Sequence, residues 1–140
     1  MIQAEKIAAV MGMPCKLHSL AELSDAVAQG LPKKVLQATL KHITTDREVA
    51  KRISGQLISP ATFKRRRAVL TPQESERVER LARVFATAYE VWDDEEDTRQ
   101  FLFTPHPMLN HHRPIDAAMS ELGARQVEEV LWNLQYGFPA

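Results

Sequence analysis

Helix-start signals recur along the chain and constrain its fold more than any other feature. A polar N-cap residue precedes proline at Ser59-Pro60 and at Thr71-Pro72, and Glu74 stands three residues after Thr71, the spacing of a capping box. Apolar residues then recur at three- and four-residue spacing, whereas no convincing run alternates with the period of two that a half-buried strand requires. The sequence therefore predicts an all-α fold.

Short connections separate the predicted helices. Ser19 is the expected N-cap of the second helix, and Thr45, with Glu48 three residues on, is the expected start of the fourth. Pro114 and Gly123 are expected to bound a short eighth helix. The predicted helices cover approximately residues 2–11, 20–29, 32–42, 45–53, 59–67, 71–92, 94–103, 114–123 and 124–136.

Length and composition exclude several classes of protein. A chain of 140 residues holds one domain or two small ones. No apolar run approaches the length of a membrane-spanning helix, and the start lacks the pattern of a secretory signal, so the cytoplasm is the expected location and no membrane partner is expected. Cys15 is the one cysteine, which excludes an intrachain disulfide and a cysteine-based zinc finger; an incidental thiol is expected there.

Charge divides the chain into two halves. Residues 1–70 contain 12 Lys and Arg against 5 Asp and Glu, whereas residues 71–140 contain 6 Arg against 13 Asp and Glu. A basic half favours a polyanionic partner and an acidic half repels one. This asymmetry predicts two domains with different tasks, over residues 1–70 and 71–140, although uneven surface charge without function is an alternative.

The basic half has the pattern of a helix-turn-helix. The fourth and fifth helices are short, and on a helical wheel Phe63 of the fifth lies opposite its polar and cationic residues. Phe63 is then an apolar anchor, and the opposite face is free to enter a DNA groove. The alternative is a solvated run of charge. The candidate DNA-binding residues are Ser59, Ala61, Thr62, Lys64, Arg65, Arg66 and Arg67, with Lys51 and Arg52 as flanking phosphate contacts.

The acidic half lacks a credible catalytic or metal-binding constellation, so we expect neither an enzyme nor a cofactor. The carboxylates of residues 93–97 lie where a helix begins, and negative charge there suits the helix dipole. A calcium loop would require alternating ligands and a central glycine. His106, His111 and His112 lack the spacing of zinc ligands and are expected to cap or position a turn.

The last helix carries two apolar surfaces. Its core stripe is predicted to consist of Val127, Val130, Leu131 and Leu134. Trp132 and Tyr136 lie on the opposite side, beside Glu128 and Glu129. Large aromatic residues are typical anchors of protein interfaces, so this side predicts a second buried surface. The alternative is that another helix of the same chain covers the two rings.

Several of these segments together resemble the Xre/MbcA/ParS-like antitoxins. The residues that carry the resemblance run in order from about residue 10 to residue 140. A Phe-Leu-Phe-Thr-Pro-His-Pro-Met-Leu stretch resembles that family's Trp-Leu-x-Thr-Pro-Asn-Pro-Ala-Leu signature. The matching segments are Gly30–Pro32, Ser59–Arg66, Leu70–Val84, Phe101–Leu109, Pro114–Ala118, Gly123–Leu131 and Tyr136–Ala140.

The resemblance implies a type II antitoxin with an N-terminal Xre-type helix-turn-helix domain and a C-terminal helical toxin-binding domain. Its implied protein partner is a RES-domain toxin that depletes NAD, and the chain end is implied to help block the toxin's active-site cleft. Its implied nucleic-acid partner is operator DNA in its own promoter, bound as a homodimer or as a larger hetero-oligomer with toxin. The expected toxin-binding residues are Glu128, Glu129, Trp132, Tyr136, Gly137, Phe138, Pro139 and Ala140.

Two segments depart from the family pattern. The connection over residues 53–59 is longer than the usual tight turn of the helix-turn-helix, which predicts a different angle between the two helices. Residues 110–113 replace a small-residue run, which predicts an edge shaped for its own partner. The alternative function is a dimeric helix-turn-helix transcriptional regulator without a toxin, because the apolar stripe of the sixth helix is wide enough for a dimer core.

Overall fold

The computed structural model describes residues 1–13 and 17–137, and 72% of these residues are helical. Within these residues the β-structure is limited to an isolated bridge between Pro32 and Val69, so the predicted all-α fold is confirmed. In this described part of the chain, no helix is long and apolar enough to cross a membrane. The predictions for Cys15, Phe138, Pro139 and Ala140 lie outside the described residues.

The helices follow the predicted order, with small shifts at their ends. A single 3-10 turn, Pro107–Leu109, separates the seventh from the eighth. The α-helices are α1 (Ala4–Val10), α2 (Leu20–Gln29), α3 (Lys34–Ile43), α4 (Arg47–Leu57), α5 (Pro60–Arg65), α6 (Pro72–Trp92), α7 (Glu95–Leu102), α8 (Pro114–Ala117) and α9 (Glu121–Tyr136).

Side-chain caps fix most of the helix starts. Ser19 and Ser59 cap α2 and α5, and Thr71 and Glu74 form the predicted capping box of α6. The predicted start of α4 at Thr45 is wrong. Asp46 is the N-cap, because its carboxylate accepts the backbone N–H groups of both Glu48 and Val49.

The predicted boundary between the last two helices is also wrong. α8 is a single turn, and α9 begins three residues earlier than predicted, after the N-cap Ser120. Gly123 lies inside α9 rather than ending α8. A Cβ atom at this position would stand 1.8 Å from the carbonyl oxygen of Ala117, so glycine is required for close packing and not for a helix end.

The connection between α4 and α5 is shorter than predicted. Residues 54–57 continue α4, and only Ile58 and Ser59 separate the two helices. Leu57 and Ile58 are both buried, which holds the end of α4 and the turn against the core. The helix-turn-helix therefore has a tight turn, contrary to the sequence-based expectation.

α6 is the central element of the fold. It packs against α1, α2, α3 and α4 from the N-terminal half and against α7 and α9 from the C-terminal half. The stripe predicted for this helix consists of Val78, Leu81, Ala82, Phe85, Ala88, Tyr89 and Trp92, and the first five of these residues are buried. Helices of the same chain cover these five residues, whereas Tyr89 of the same stripe is 38% exposed. The stripe is used mainly within the chain, which removes the support that it gave to a dimeric regulator without a toxin.

Candidate functional site

The exposed face of α5 is organised by hydrogen bonds around Thr62. The Thr62 backbone N–H donates to Ser59 Oγ at 3.3 Å, and the Ser59 hydroxyl donates to Thr62 Oγ1 at 2.8 Å. Arg65 Nη2 donates to the same Thr62 oxygen at 3.2 Å. One polar face therefore holds a hydroxyl pair and a guanidinium in fixed positions, a turn apart along the helix.

Phe63 anchors the opposite side of α5, as predicted. Its ring packs against the core while remaining partly exposed, and Lys33 Nζ lies 4.2 Å from the ring centroid. Thr62 and Arg66 are half-buried. The other predicted DNA-binding residues are exposed: Ser59, Ala61, Lys64, Arg65, Arg67, Lys51 and Arg52.

Arg66, directly after α5, forms a two-pronged ion pair with Glu74 of α6. Arg66 Nε donates to Glu74 Oε1 at 2.9 Å, and Arg66 Nη2 donates to Oε2 at 2.8 Å. The backbone N–H of Thr71 also donates to Oε1 at 2.9 Å. Hydrogen bonds from Arg66, against the opposing effect of burial, lower the pKa of Glu74 to about 2. Glu74 is thus an almost fully buried acceptor that is ionised at neutral pH.

The surface that α5 presents suits a nucleic acid. Exposed cations at Lys64, Arg65 and Arg67 follow a helix start, and exposed Lys51 and Arg52 lie on the neighbouring helix. Cations of this kind neutralise phosphates, and a guanidinium on an exposed helix face can reach base edges in the major groove. The assignment of individual residues to DNA remains a prediction.

A pair of exposed aromatic rings marks the end of α9. Trp132 and Tyr136 are 49% and 56% exposed, and their ring centroids are 4.4 Å apart. Both rings therefore remain accessible in the described part of the chain, contrary to the alternative that another helix of the chain buries them. Val127, Val130 and Leu131 form the core stripe as predicted, but Leu134 is 41% exposed and is not part of it, because α9 extends past the core at this end.

The charged residues beside these rings have different surroundings. Glu128 is half-buried, and its Oε1 lies 3.1 Å from Arg83 Nε of α6. Glu129 is exposed. Gly137 ends α9 with a φ of 74°, a left-handed conformation that suits glycine and is common at helix ends. The contact of these residues with a toxin remains a prediction.

One residue of the acidic cluster and one of the loop histidines act as caps. Asp94 accepts the Asp97 backbone N–H and so starts α7, where Glu95 and Glu96 also face the positive end of the helix dipole. His106 Nδ1 accepts the Met108 backbone N–H, which confirms a turn-capping role for this histidine. Among residues 1–13 and 17–137, no group of three potential ligands could hold a metal ion.

Sequence reasoning missed the contacts that join the two halves. Arg99 of α7 donates from Nε to the carbonyl of His42 at the end of α3, at 2.9 Å, and His42 Nδ1 lies 2.6 Å from Glu95 Oε1. Leu31 donates its backbone N–H to the buried hydroxyl of Ser75. These partners are 44 to 57 residues apart, so no local pattern could reveal them.

Family comparisons match both halves of the fold. Residues 22–83 match the antitoxin Xre-like helix-turn-helix domain, and residues 87–137 match the antitoxin Xre/MbcA/ParS C-terminal toxin-binding domain. No curated protein gives a significant match. The two matched regions meet inside α6, whereas the predicted boundary after residue 70 remains a prediction. The chain belongs to the Xre/MbcA/ParS-like antitoxins, with a helix-turn-helix domain followed by a toxin-binding domain.

Proposed function

We propose that this antitoxin inhibits a RES-type, NAD-degrading toxin by occluding its active site, and that it represses its own operon in the cytoplasm. The family supports an antitoxin that has a toxin partner and a DNA-binding domain. We add three points to what the family supports. The toxin is of the RES type, its active-site cleft is blocked, and the antitoxin binds DNA as a homodimer or as a larger hetero-oligomer with toxin.

One observation carries the toxin side of the proposal: the exposed Trp132–Tyr136 pair lies within the toxin-binding domain. Two adjoining large rings that are exposed to water in the free chain contribute much binding free energy when a partner buries them. Their placement on one face of α9 provides a rigid anchor. The proposal therefore puts these rings at the centre of the toxin contact and the exposed Glu129 at its edge.

Occlusion is assigned to the residues that follow the anchor. Gly137 ends α9 in a left-handed conformation directly after Tyr136. In the proposal, Phe138, Pro139 and Ala140 then enter the toxin's substrate cleft. An inhibitor of this kind works most directly by placing its own atoms where the substrate would lie.

The DNA side of the proposal rests on α5. Arg65 reads a base edge, and Ser59, Ala61 and Thr62 line the same groove. The exposed Lys64, Arg67, Lys51 and Arg52 contact phosphates. Repression follows when such a complex covers the promoter.

The test is binding of the purified full chain to the product of its neighbouring gene, which the proposal expects to be a RES-domain toxin. Isothermal titration should give a stable complex, and Trp132→Ala should weaken it by about 2 kcal/mol or more, as for a hot-spot residue. Leu20→Ala is the matched control, because Leu20 is a 61% exposed apolar residue on α2. Equal affinities for both variants would remove the aromatic pair from the interface, and a neighbouring product without a RES domain would remove the proposed toxin.

A further inference from the structure

α5 is held on the protein by little apolar packing. It has six residues, and none of them is buried. A helix this short is unstable in isolation, so contacts with the rest of the chain must fix its conformation and its angle. Phe63 supplies part of that contact, but one partly exposed ring is not enough to fix the end of the helix.

Polar contacts restrain the end of α5 instead. Arg66 immediately follows the helix, and its guanidinium is bound by Glu74 in the first turn of α6. The Arg66 carbonyl accepts a hydrogen bond from Lys33 Nζ at 3.0 Å, and the same ammonium lies over the Phe63 ring. The backbone of Arg66 is therefore bound by the N-cap residue of α3, and its side chain is bound by the first turn of α6.

Glu74 is a rigid partner for this contact. Its side chain is 6% exposed, and its Oε1 also accepts the Thr71 backbone N–H within the capping box. Two charge-assisted bonds to a planar guanidinium define both distance and orientation. The position of residue 66, and with it the end of α5, is thus tied to the start of α6.

The ion pair with Glu74 also makes Arg66 unavailable for binding a DNA phosphate. Two of its donors are satisfied by Glu74, and the partner carboxylate compensates its charge. Arg67, the next residue, is exposed and has no ion-pair partner among the described residues. Two adjacent arginines thus have different surroundings, although the sequence presents them as equivalent.

We infer that Arg66 and Glu74 form a positioning pair that sets the angle at which α5 enters the DNA groove, and that Arg66 is not a phosphate contact. The inference rests on the proposed binding of DNA through α5. It assigns a role in DNA recognition to Glu74, an acidic residue that charge alone would count as unfavourable.

Salt dependence separates a positioning residue from a phosphate contact. Each phosphate neutralised by the protein lowers the slope of log K against log salt by about 0.9, so loss of a phosphate contact makes the slope shallower by that amount. Loss of a positioning residue weakens the specific complex and leaves the slope unchanged. Glu74→Gln adds a second criterion, because removal of an adverse negative charge would strengthen binding to every duplex, whereas loss of positioning weakens operator binding.

The experiment titrates the full chain against two duplexes of equal length and composition, one from the promoter of its own gene and one with that sequence scrambled. We expect Arg66→Ala and Glu74→Gln each to lower the preference for the promoter duplex by about tenfold, with the wild-type salt slope. Arg66→Lys should fail to restore that preference, because an ammonium cannot make the two-pronged bond. Arg67→Ala, the matched control, should weaken binding to both duplexes alike and make the negative slope shallower by about 0.9.

The double variant Arg66→Ala/Glu74→Gln keeps the test valid if Arg66→Ala unfolds the chain by leaving a buried charge unpaired. It should bind the promoter duplex as weakly as Glu74→Gln alone, with a melting curve that shows a folded protein. A shallower slope for Arg66→Ala, full rescue by Arg66→Lys, or tighter binding by Glu74→Gln would each overturn the inference. A wild-type chain that does not distinguish the two duplexes would instead contradict the proposed DNA recognition itself.

Discussion

Arg83 of α6 and Glu128 of α9 face each other across the packed helix pair, with Nε and Oε1 3.1 Å apart. The same guanidinium lies 3.4 Å from Glu121 and 3.9 Å from Glu79. One arginine thus faces three carboxylates, and burial raises the pKa of both Glu79 and Glu128. Glu128 is therefore paired with Arg83 within the chain, although the sequence alone places Glu128 beside the exposed aromatic rings.

Arg83→Met should destabilise the chain by about 2 kcal/mol at pH 7, because it removes the cation that faces Glu79 and Glu128, whereas Glu121 keeps Arg80 at 3.1 Å. Protonation relieves that repulsion, and the raised carboxyl pKa values mean that the folded state takes up protons before the unfolded state does. The loss should therefore be smaller at pH 5. Urea unfolding at both pH values measures it.

Arg125→Met is the control for this prediction, because Arg125 is exposed on the same helix as Glu128. It should change the free energy of unfolding by less than about 0.5 kcal/mol. An equal effect of Arg83→Met at both pH values would show that the carboxylate cluster does not respond to the loss of the arginine.

Glu74→Gln should change how stability depends on acid. The folded-state pKa of Glu74 is lowered to about 2, so its charge stabilises the fold above its ordinary pKa and that contribution is lost as the pH falls towards 2. The variant should be about 2 kcal/mol less stable than the wild type above pH 5, and the difference should shrink below pH 4. Glu76→Gln, at an exposed neighbouring position, should show no such trend. A difference that stays constant from pH 5 to pH 2.5 would contradict the assignment.

Two glycine substitutions on helices should have opposite effects. Gly123→Ala places a Cβ 1.8 Å from the Ala117 carbonyl oxygen, a backbone atom that cannot move aside, so it should destabilise the chain by about 2–3 kcal/mol. Gly55→Ala meets no atom within 4 Å and should stabilise α4 by about 0.5–1 kcal/mol. Melting temperatures of the two variants compare these effects directly, and a shift in the same direction for both would refute the explanation.

Local sequence signals predicted the helices and their caps well, because a cap depends on residues that are three positions apart. Ser19, Ser59 and the Thr71–Glu74 box are examples. The role of Gly123 was mistaken, because its cause is a carbonyl of another element. The ion pair that Glu74 also forms was not predictable, because a capping box and an ion pair both call for a glutamate. The residue type alone therefore does not reveal the second contact.

The exposed aromatic face was predictable from the helical wheel, whereas the limits of the core stripe were not. Trp132 and Tyr136 lie opposite Val127 and Leu131, as the periodicity indicates. Leu134 has the same periodicity as the core residues but lies beyond the reach of the packed helices. Periodicity identifies a face, and only the packing shows how far along the helix that face is covered.

Arg65→Ala should weaken binding to the promoter duplex and relax discrimination by about 1–3 kcal/mol, because a guanidinium on the outer face of α5 is placed to read a base edge. Lys64→Ala should weaken promoter and scrambled duplexes equally, as expected for a phosphate contact. Fluorescence anisotropy with both duplexes gives the comparison. Unchanged promoter affinity for Arg65→Ala would remove α5 from the groove.

The most direct measurement is NAD consumption by the purified toxin, titrated with the full chain, with Trp132→Ala and with a chain that ends at residue 136. The account predicts complete inhibition at a stoichiometric dose of the full chain, weaker inhibition by Trp132→Ala, and substantial NAD consumption in the presence of the truncated chain even when that chain is bound. Complete inhibition by the truncated chain at a stoichiometric dose would show that the body of the domain blocks the enzyme, and unimpaired NAD consumption with the full chain would contradict the proposed inhibition.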